Sequence, residues 1–120
     1  MATVFTNAGK AITANRVKGS GTEPNNSGIG TGAGTATAAD TTLFTETGTR
    51  VAGTSTVVTT TVTNDTYQVV ATHSPGAITV TNAGLFDATS GGNLFLKGDF
   101  TGIPLGASDS LQLTYQNKYA

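Results

Sequence analysis

Residues 111–116, which read Leu-Gln-Leu-Thr-Tyr-Gln, alternate apolar and polar side chains with a period of two. Successive side chains of a β-strand point to opposite faces, so the three apolar residues share one face and the polar residues share the other. Ser108 and Asp109 supply a turn directly before the segment. The stretch therefore predicts a strand with one buried face and one wet face.

Similar short segments fill the chain from Leu43 onward and are separated by Gly, Asn, Asp and Pro. Two predicted hairpins join 56–63 to 67–73 and 85–86 to 94–96, across turn residues at 64–66 and 89–92. Residues 77–81 continue the alternation, with Ile78 and Val80 inward. This spacing predicts an antiparallel β-sandwich or barrel.

Composition supports a sheet protein. Thr occupies about one position in five, and its β-branched side chain favours extended backbone over helix. Charged residues make up 11% of the chain, against about 25% in an average soluble domain. A surface with so little charge is poorly protected against association, which indicates a surface built for assembly.

The first third of the chain reads differently from the rest. Residues 7–18 predict one short helix, opened by Asn7 as a cap and ended at Gly19. Residues 19–38 are rich in Gly, Thr, Ala, Asn and Ser without apolar periodicity, and predict a long arm or loop. We therefore expect one domain over 1–120, with an arm, helix and loop in 1–38 and a β-sandwich core in 39–120.

Several function classes are disfavoured. The net charge of −1 gives no basic face for nucleic acid. The absence of Cys rules out disulfides and thiolate metal sites. We expect neither membrane insertion nor secretory export, since no apolar run approaches spanning length and the amino terminus lacks a signal-peptide pattern.

A glycine-rich segment formally resembles a cofactor site. Residues 28–33 read Gly-Ile-Gly-Thr-Gly-Ala, a loose form of the dinucleotide fingerprint in which glycines let a phosphate approach the start of a helix. The sequence predicts no buried strand before the segment, and residues 34–37 begin a helix poorly. We predict a flexible or partner-clasping loop and no cofactor.

No catalytic or metal-binding residue is predicted. His73 is the single histidine, whereas zinc needs three or four ligands. A Ser-His-Asp arrangement could draw on the adjacent Ser74 or on any other Ser, but no nucleophile elbow supports it, so a hydrogen bond at a turn is the expected role of His73. The chain is therefore not expected to be an enzyme.

The acidic residues are expected to serve structure. Most of them neighbour Gly, Asn, Thr or Ser, where Asp caps turns through its own side chain, and their spacing is too sparse for a calcium loop. Glu46 and Arg50 are expected to pair with each other. The carboxylates are Glu23, Asp40, Glu46, Asp65, Asp87, Asp99 and Asp109.

A set of landmarks along the chain carries a family resemblance. They are residues 7–9 (Asn-Ala-Gly), 28–32 (Gly-Ile-Gly-Thr-Gly), 39–43 (Ala-Asp-Thr-Thr-Leu) with Glu46 and Arg50, and 83–87 (Ala-Gly-Leu-Phe-Asp). In this order they resemble small structural proteins of tailed-bacteriophage virions, both capsid decoration (cement) proteins and tail-fibre or collar components. The resemblance implies a virion component, often a homotrimer, that binds shell or tail proteins through β surfaces and extended arms.

The leading hypothesis is a non-enzymatic capsid decoration protein, with the major capsid protein as partner and residues 1–38 as a clasp. It would reside in the virion after assembly in the host cytoplasm. The alternative is a tail collar, adaptor or fibre-base protein that contacts neighbouring tail proteins. A carbohydrate-binding β-sandwich is a third hypothesis, disfavoured because the chain has no Trp to stack on a sugar.

Overall fold

Short alternating segments and one capped helix define the secondary structure in the computed structural model, which describes residues 2–119. Within that range the chain forms eight strands and one helix, so the predicted mainly β fold with a short helix is confirmed. The elements are β1 Ala2–Phe5, α1 Asn7–Lys18, β2 Asn26–Gly30, β3 Glu46–Ala52, β4 Thr54–Val58, β5 Thr66–His73, β6 Thr79–Phe86, β7 Leu94–Pro104 and β8 Leu111–Lys118.

The strands form two sheets, and every pairing is antiparallel. The larger sheet has the order β1-β7-β6-β2-β3 and the smaller sheet has the order β4-β5-β8. Both predicted hairpins are present, as β4 with β5 and β6 with β7. Strand β8 pairs with β5 along its whole length and alternates between covered and exposed residues, as its sequence predicts.

One core joins the two sheets in a sandwich-like arrangement. Val69 and Tyr115 from the smaller sheet pack with Ile29, Leu85 and Phe95 from the larger sheet. Most of the aromatic residues belong to this core or pack against it, whereas the Tyr119 side chain is 50% exposed. A second cluster of Leu43, Phe86 and Leu94 is formed separately.

The first hairpin differs from its prediction on one side. Strand β4 ends at Val58, so residues 59–63 belong to the connection and not to the strand. The cause is the Asp65 carboxylate, which accepts hydrogen bonds from the backbone N–H groups of Thr60, Thr61 and Val62. These bonds hold residues 59–63 in a loop, although the Thr and Val residues of this segment favour an extended strand.

The helix has the predicted bounds but a different cap. Thr6, not Asn7, is the N-cap, and its Oγ1 accepts a hydrogen bond from the Gly9 N–H at 2.9 Å. The same hydroxyl contacts the Leu94 carbonyl oxygen, which ties the start of the helix to β7. At the other end Gly19 takes the left-handed conformation, with φ of 91°, and stops the helix as predicted.

Residues 19–38 are not a continuous arm or loop. Strand β2 occupies 26–30 and lies between β3 and β6, with every residue buried. Ser27 and Ile29 face the other sheet, while a Cβ atom at Gly28 would lie 2.8 Å from a Glu46 carboxylate oxygen on the opposite face. Both faces are covered at close range, so the strand needs small residues and shows no apolar alternation. The predicted amino-terminal segment 1–38 therefore contributes two strands, β1 and β2, to the larger sheet.

Candidate functional site: a groove between the helix and strand β4

The glycine-rich segment forms a sheet strand and its continuation. Residues 28–30 belong to β2, and the next two N–H groups are already paired, Thr31 with the Thr45 carbonyl and Gly32 with the Phe44 carbonyl. No helix follows within the described residues, since the next element after β2 is strand β3. These amides are therefore not arranged as a phosphate-binding loop.

His73 lies in the interior and not at a surface turn. It ends β5, is 2% exposed, and its Nε2 lies 2.8 Å from the Ser27 hydroxyl oxygen. That hydroxyl lies 2.6 Å from the Tyr115 hydroxyl, so one small network joins β2 to β5 and β8. Burial lowers the pKa of His73 and raises that of Tyr115.

This network contains a serine and a histidine at hydrogen-bond distance, which are two of the three groups of a hydrolytic triad. The third group of the network is the Tyr115 hydroxyl, where a triad has a carboxylate. The Ser27 side chain has no exposed surface. A substrate would have to open the contact between the two sheets to reach the hydroxyl. The three side chains therefore connect the two sheets through buried hydrogen bonds. Such buried, fully paired polar groups favour one arrangement of the core.

The Asp residues mostly hold turns, as predicted. Asp65 gathers the N–H groups of its own loop, and the Val62 N–H is the largest of the influences that hold its pKa well below the usual range. Asp87 accepts hydrogen bonds from Asn93, and Asp109 accepts one from the Gly106 N–H. Asp99 reaches further and accepts from the Ala36 N–H at 2.7 Å.

Two buried cations also serve structure. The predicted pair is present, with Glu46 Oε2 2.7 Å from Arg50 Nε, and the guanidinium lies over the Phe86 ring. Lys97 is 1% exposed, and its Nζ lies 2.9 Å from Asp40 and over the Phe44 ring. Lys97 is the main cause of the lowered pKa of Asp40. This site was not predicted, because in the sequence Lys97 only follows the apolar strand segment 94–96.

Among residues 2–119, no three His, Cys, Asp or Glu side chains come together as a metal-binding group. Over the same residues, the structure has no helix with both the length and the apolar character to cross a membrane.

A groove of about 710 Å³ lies between α1 and β4. Its lining includes Ile12 and Phe95, which are 6% and 2% exposed and belong to the core. Val17 of the helix and Val57 of β4 also line it and are 85% and 59% exposed. The groove therefore connects the edge of the core to solvent through an apolar surface.

Several polar side chains of the groove have partners within the chain. The Tyr67 hydroxyl donates to Glu23 Oε2 at 3.0 Å, and burial is the main reason its pKa is raised. The Tyr119 hydroxyl lies 3.1 Å from the Thr13 hydroxyl, and Arg16 donates to the Gly21 carbonyl. The groove thus offers mainly apolar contact area, which suits docking.

Sequence reasoning missed the groove because its lining comes from distant segments. One signal was available: the helix carries Val17 on a surface that otherwise reads as polar. A second was the run Val57-Val58 in a strand of small hydroxyl residues. Neither shows by itself that both valines border one depression.

Comparison with protein-family models, with curated proteins and with solved structures finds no match for this chain.

Proposed function

We propose that this chain is a non-enzymatic structural protein that acts by binding other proteins, as a capsid decoration (cement) protein of a tailed-bacteriophage virion. The observation that carries the proposal is the open groove, whose lining is mainly apolar and includes the exposed side chains of Val17 and Val57. Such a surface gains free energy when a partner removes it from water, at about 25 cal/mol for each Å² of apolar area buried.

The surface composition supports the same role. Only 13 of the 120 residues are Lys, Arg, Asp or Glu (six basic and seven acidic), and two of them, Lys97 and Arg50, have nearly buried side chains. The exposed surface is dominated by uncharged groups that cost little to desolvate against another protein. A protein fixed in an assembly can use such a surface, whereas a free one gains nothing from it.

The virion assignment comes from the sequence resemblance, and the groove supports its broader part, which is protein binding. The proposed partner is the major capsid protein, and the proposed location is the virion after assembly in the host cytoplasm. The proposed clasp over residues 1–38 needs revision, because this segment supplies β1 and β2 to the larger sheet. Deleting it would remove sheet strands, so the deletion is not a clean test of binding.

The test is to locate the chain on purified virions by imaging with a bound antibody fragment and to count its copies by quantitative mass spectrometry. A decoration protein is expected on the shell in many copies, in fixed proportion to the major capsid protein. Few copies confined to the tail would support the alternative, a collar, adaptor or fibre-base protein with the same fold. Absence from virions would refute both.

A further inference from the structure

Strand β4 is unlike the other strands at the edges of the two sheets. Within the described residues, β1, β3, β4 and β8 each pair with a single neighbour. Strand β3 carries Glu46 and Arg50, β8 carries Lys118, and β1 has four residues. Charges and short length are the usual protection of an edge strand against pairing with another chain.

Strand β4, with five residues, has no charged side chain to protect its edge. It reads Thr-Ser-Thr-Val-Val, with no charge, Pro or Gly, and its β-branched residues favour sheet pairing. Three consecutive residues, Ser55, Thr56 and Val57, border the groove. The groove therefore opens beside the edge at which a further strand would extend the smaller sheet.

We propose that this edge binds β4 of a second copy of the chain, antiparallel, about a two-fold axis at Thr56. The pairing would join two smaller sheets into one six-stranded sheet and bring the two grooves together. The proposal rests on the proposed function only in taking the groove as a protein-binding surface.

The charge pattern favours a second copy as the occupant. A strand that pairs with itself sets Thr54 opposite Val58, Ser55 opposite Val57, and Thr56 opposite its own copy. No like charges meet in this register, and Thr–Thr cross-strand pairs are favourable.

The geometry also favours a pair over a head-to-tail ring. A ring that joined β4 to β8 about an axis along the strands would pair them parallel, because both run antiparallel to β5. Parallel pairing is slightly less stable per residue than antiparallel pairing. The two-fold pair is a closed assembly with one self-complementary interface. It differs from the trimer that the sequence resemblance implies.

The test is the mass of the purified full chain by sedimentation over a range of concentrations. We expect the wild type to reach twice the mass of one chain. Thr56→Lys places like charges opposite each other across the axis, so we expect its dissociation constant to rise about tenfold or more. Thr56→Gln, of similar length without charge, is expected to stay paired, as is Thr114→Lys on the exposed face of β8.

A mixing experiment tests the register directly. Thr56→Lys and Thr56→Glu are each expected to dissociate, and their mixture is expected to form mixed pairs, because opposite charges then face each other. Thermal melts of each variant check that the fold is kept. Wild type that stays monomeric at every concentration, a threefold mass, or dissociation by Thr114→Lys instead of Thr56→Lys would overturn the pairing. A monomer that still occupies virion shells would leave the proposed function standing.

Discussion

His73 is a buried titratable residue that makes the stability of this protein depend on pH. Its imidazole is buried against Ser27, and burial lowers its pKa in the folded state. In the unfolded chain the pKa returns to about 6.5. Below that pH the unfolded state binds more protons than the folded state. The contribution of neutral, buried His73 to the free energy of unfolding is therefore present above about pH 6.5 and is lost on acidification.

We therefore expect urea unfolding to show a loss of stability on acidification, in a window around pH 6.5. His73→Gln removes the titrating group and is expected to flatten this pH dependence. The two carboxylates whose pKa values are shifted, Asp40 and Asp65, are shifted downward and titrate below this window. An unchanged pH dependence in His73→Gln would contradict the assignment.

Single residues were predictable where their action is local. The roles of Asp65, Asp87 and Asp109 follow from the turn residues beside them, and the Glu46–Arg50 pair follows from their spacing. Lys97 and His73 were not predictable, because each is defined by side chains more than 40 positions away. No local pattern reports such contacts.

Among the elements, helix α1 depends on close approach to β7 more than on an apolar stripe. Gly9 and Ile12 are its buried residues. A Cβ atom at Gly9 would lie 2.9 Å from the Phe5 ring and still closer to the Phe95 carbonyl oxygen. The glycine lets the helix backbone lie directly against the strand.

Gly9→Ala therefore sets two effects against each other. Alanine is favoured over glycine inside a helix by about 1 kcal/mol, whereas overpacking costs about 1–3 kcal/mol. We expect the clash to dominate, because the obstructing carbonyl belongs to a central strand backbone, and the free energy of unfolding to fall by about 1–2 kcal/mol. Asn15→Ala, on the exposed face of the same helix, is the control and is expected to stabilise slightly. Stabilisation by Gly9→Ala would contradict this packing.

Elements with a one-sided pattern were predicted well. Strand β8 and the β6–β7 hairpin alternate or bracket a clear turn, and α1 has a stop signal at Gly19. Strand β2 was missed because both of its faces are covered, which requires Gly28 and Gly30 where a half-exposed strand would carry larger side chains. Its sequence reads as a loop until the neighbours are known.

For the whole molecule, the fold class followed from composition and spacing, but the functional surface did not. The groove needs the helix, strand β4 and the core residue Phe95 to be placed in three dimensions. A polar network joins the two sheets in the interior, and the groove is lined mainly by apolar groups. The proposed protein-binding role rests on this groove.

The most direct test of this account is amide hydrogen exchange on the chain, free and bound in virions. We expect slower exchange on binding at the groove, concentrated in residues 12–17 of α1, because a partner that covers the groove shields these amides. The amides of β4 are not part of this readout, since the proposed pairing with a second copy already covers them in the free chain. The outer face of β8 is expected to change little and serves as the internal reference. Protection elsewhere with no change at α1 would contradict the claim that the groove is the protein-binding surface.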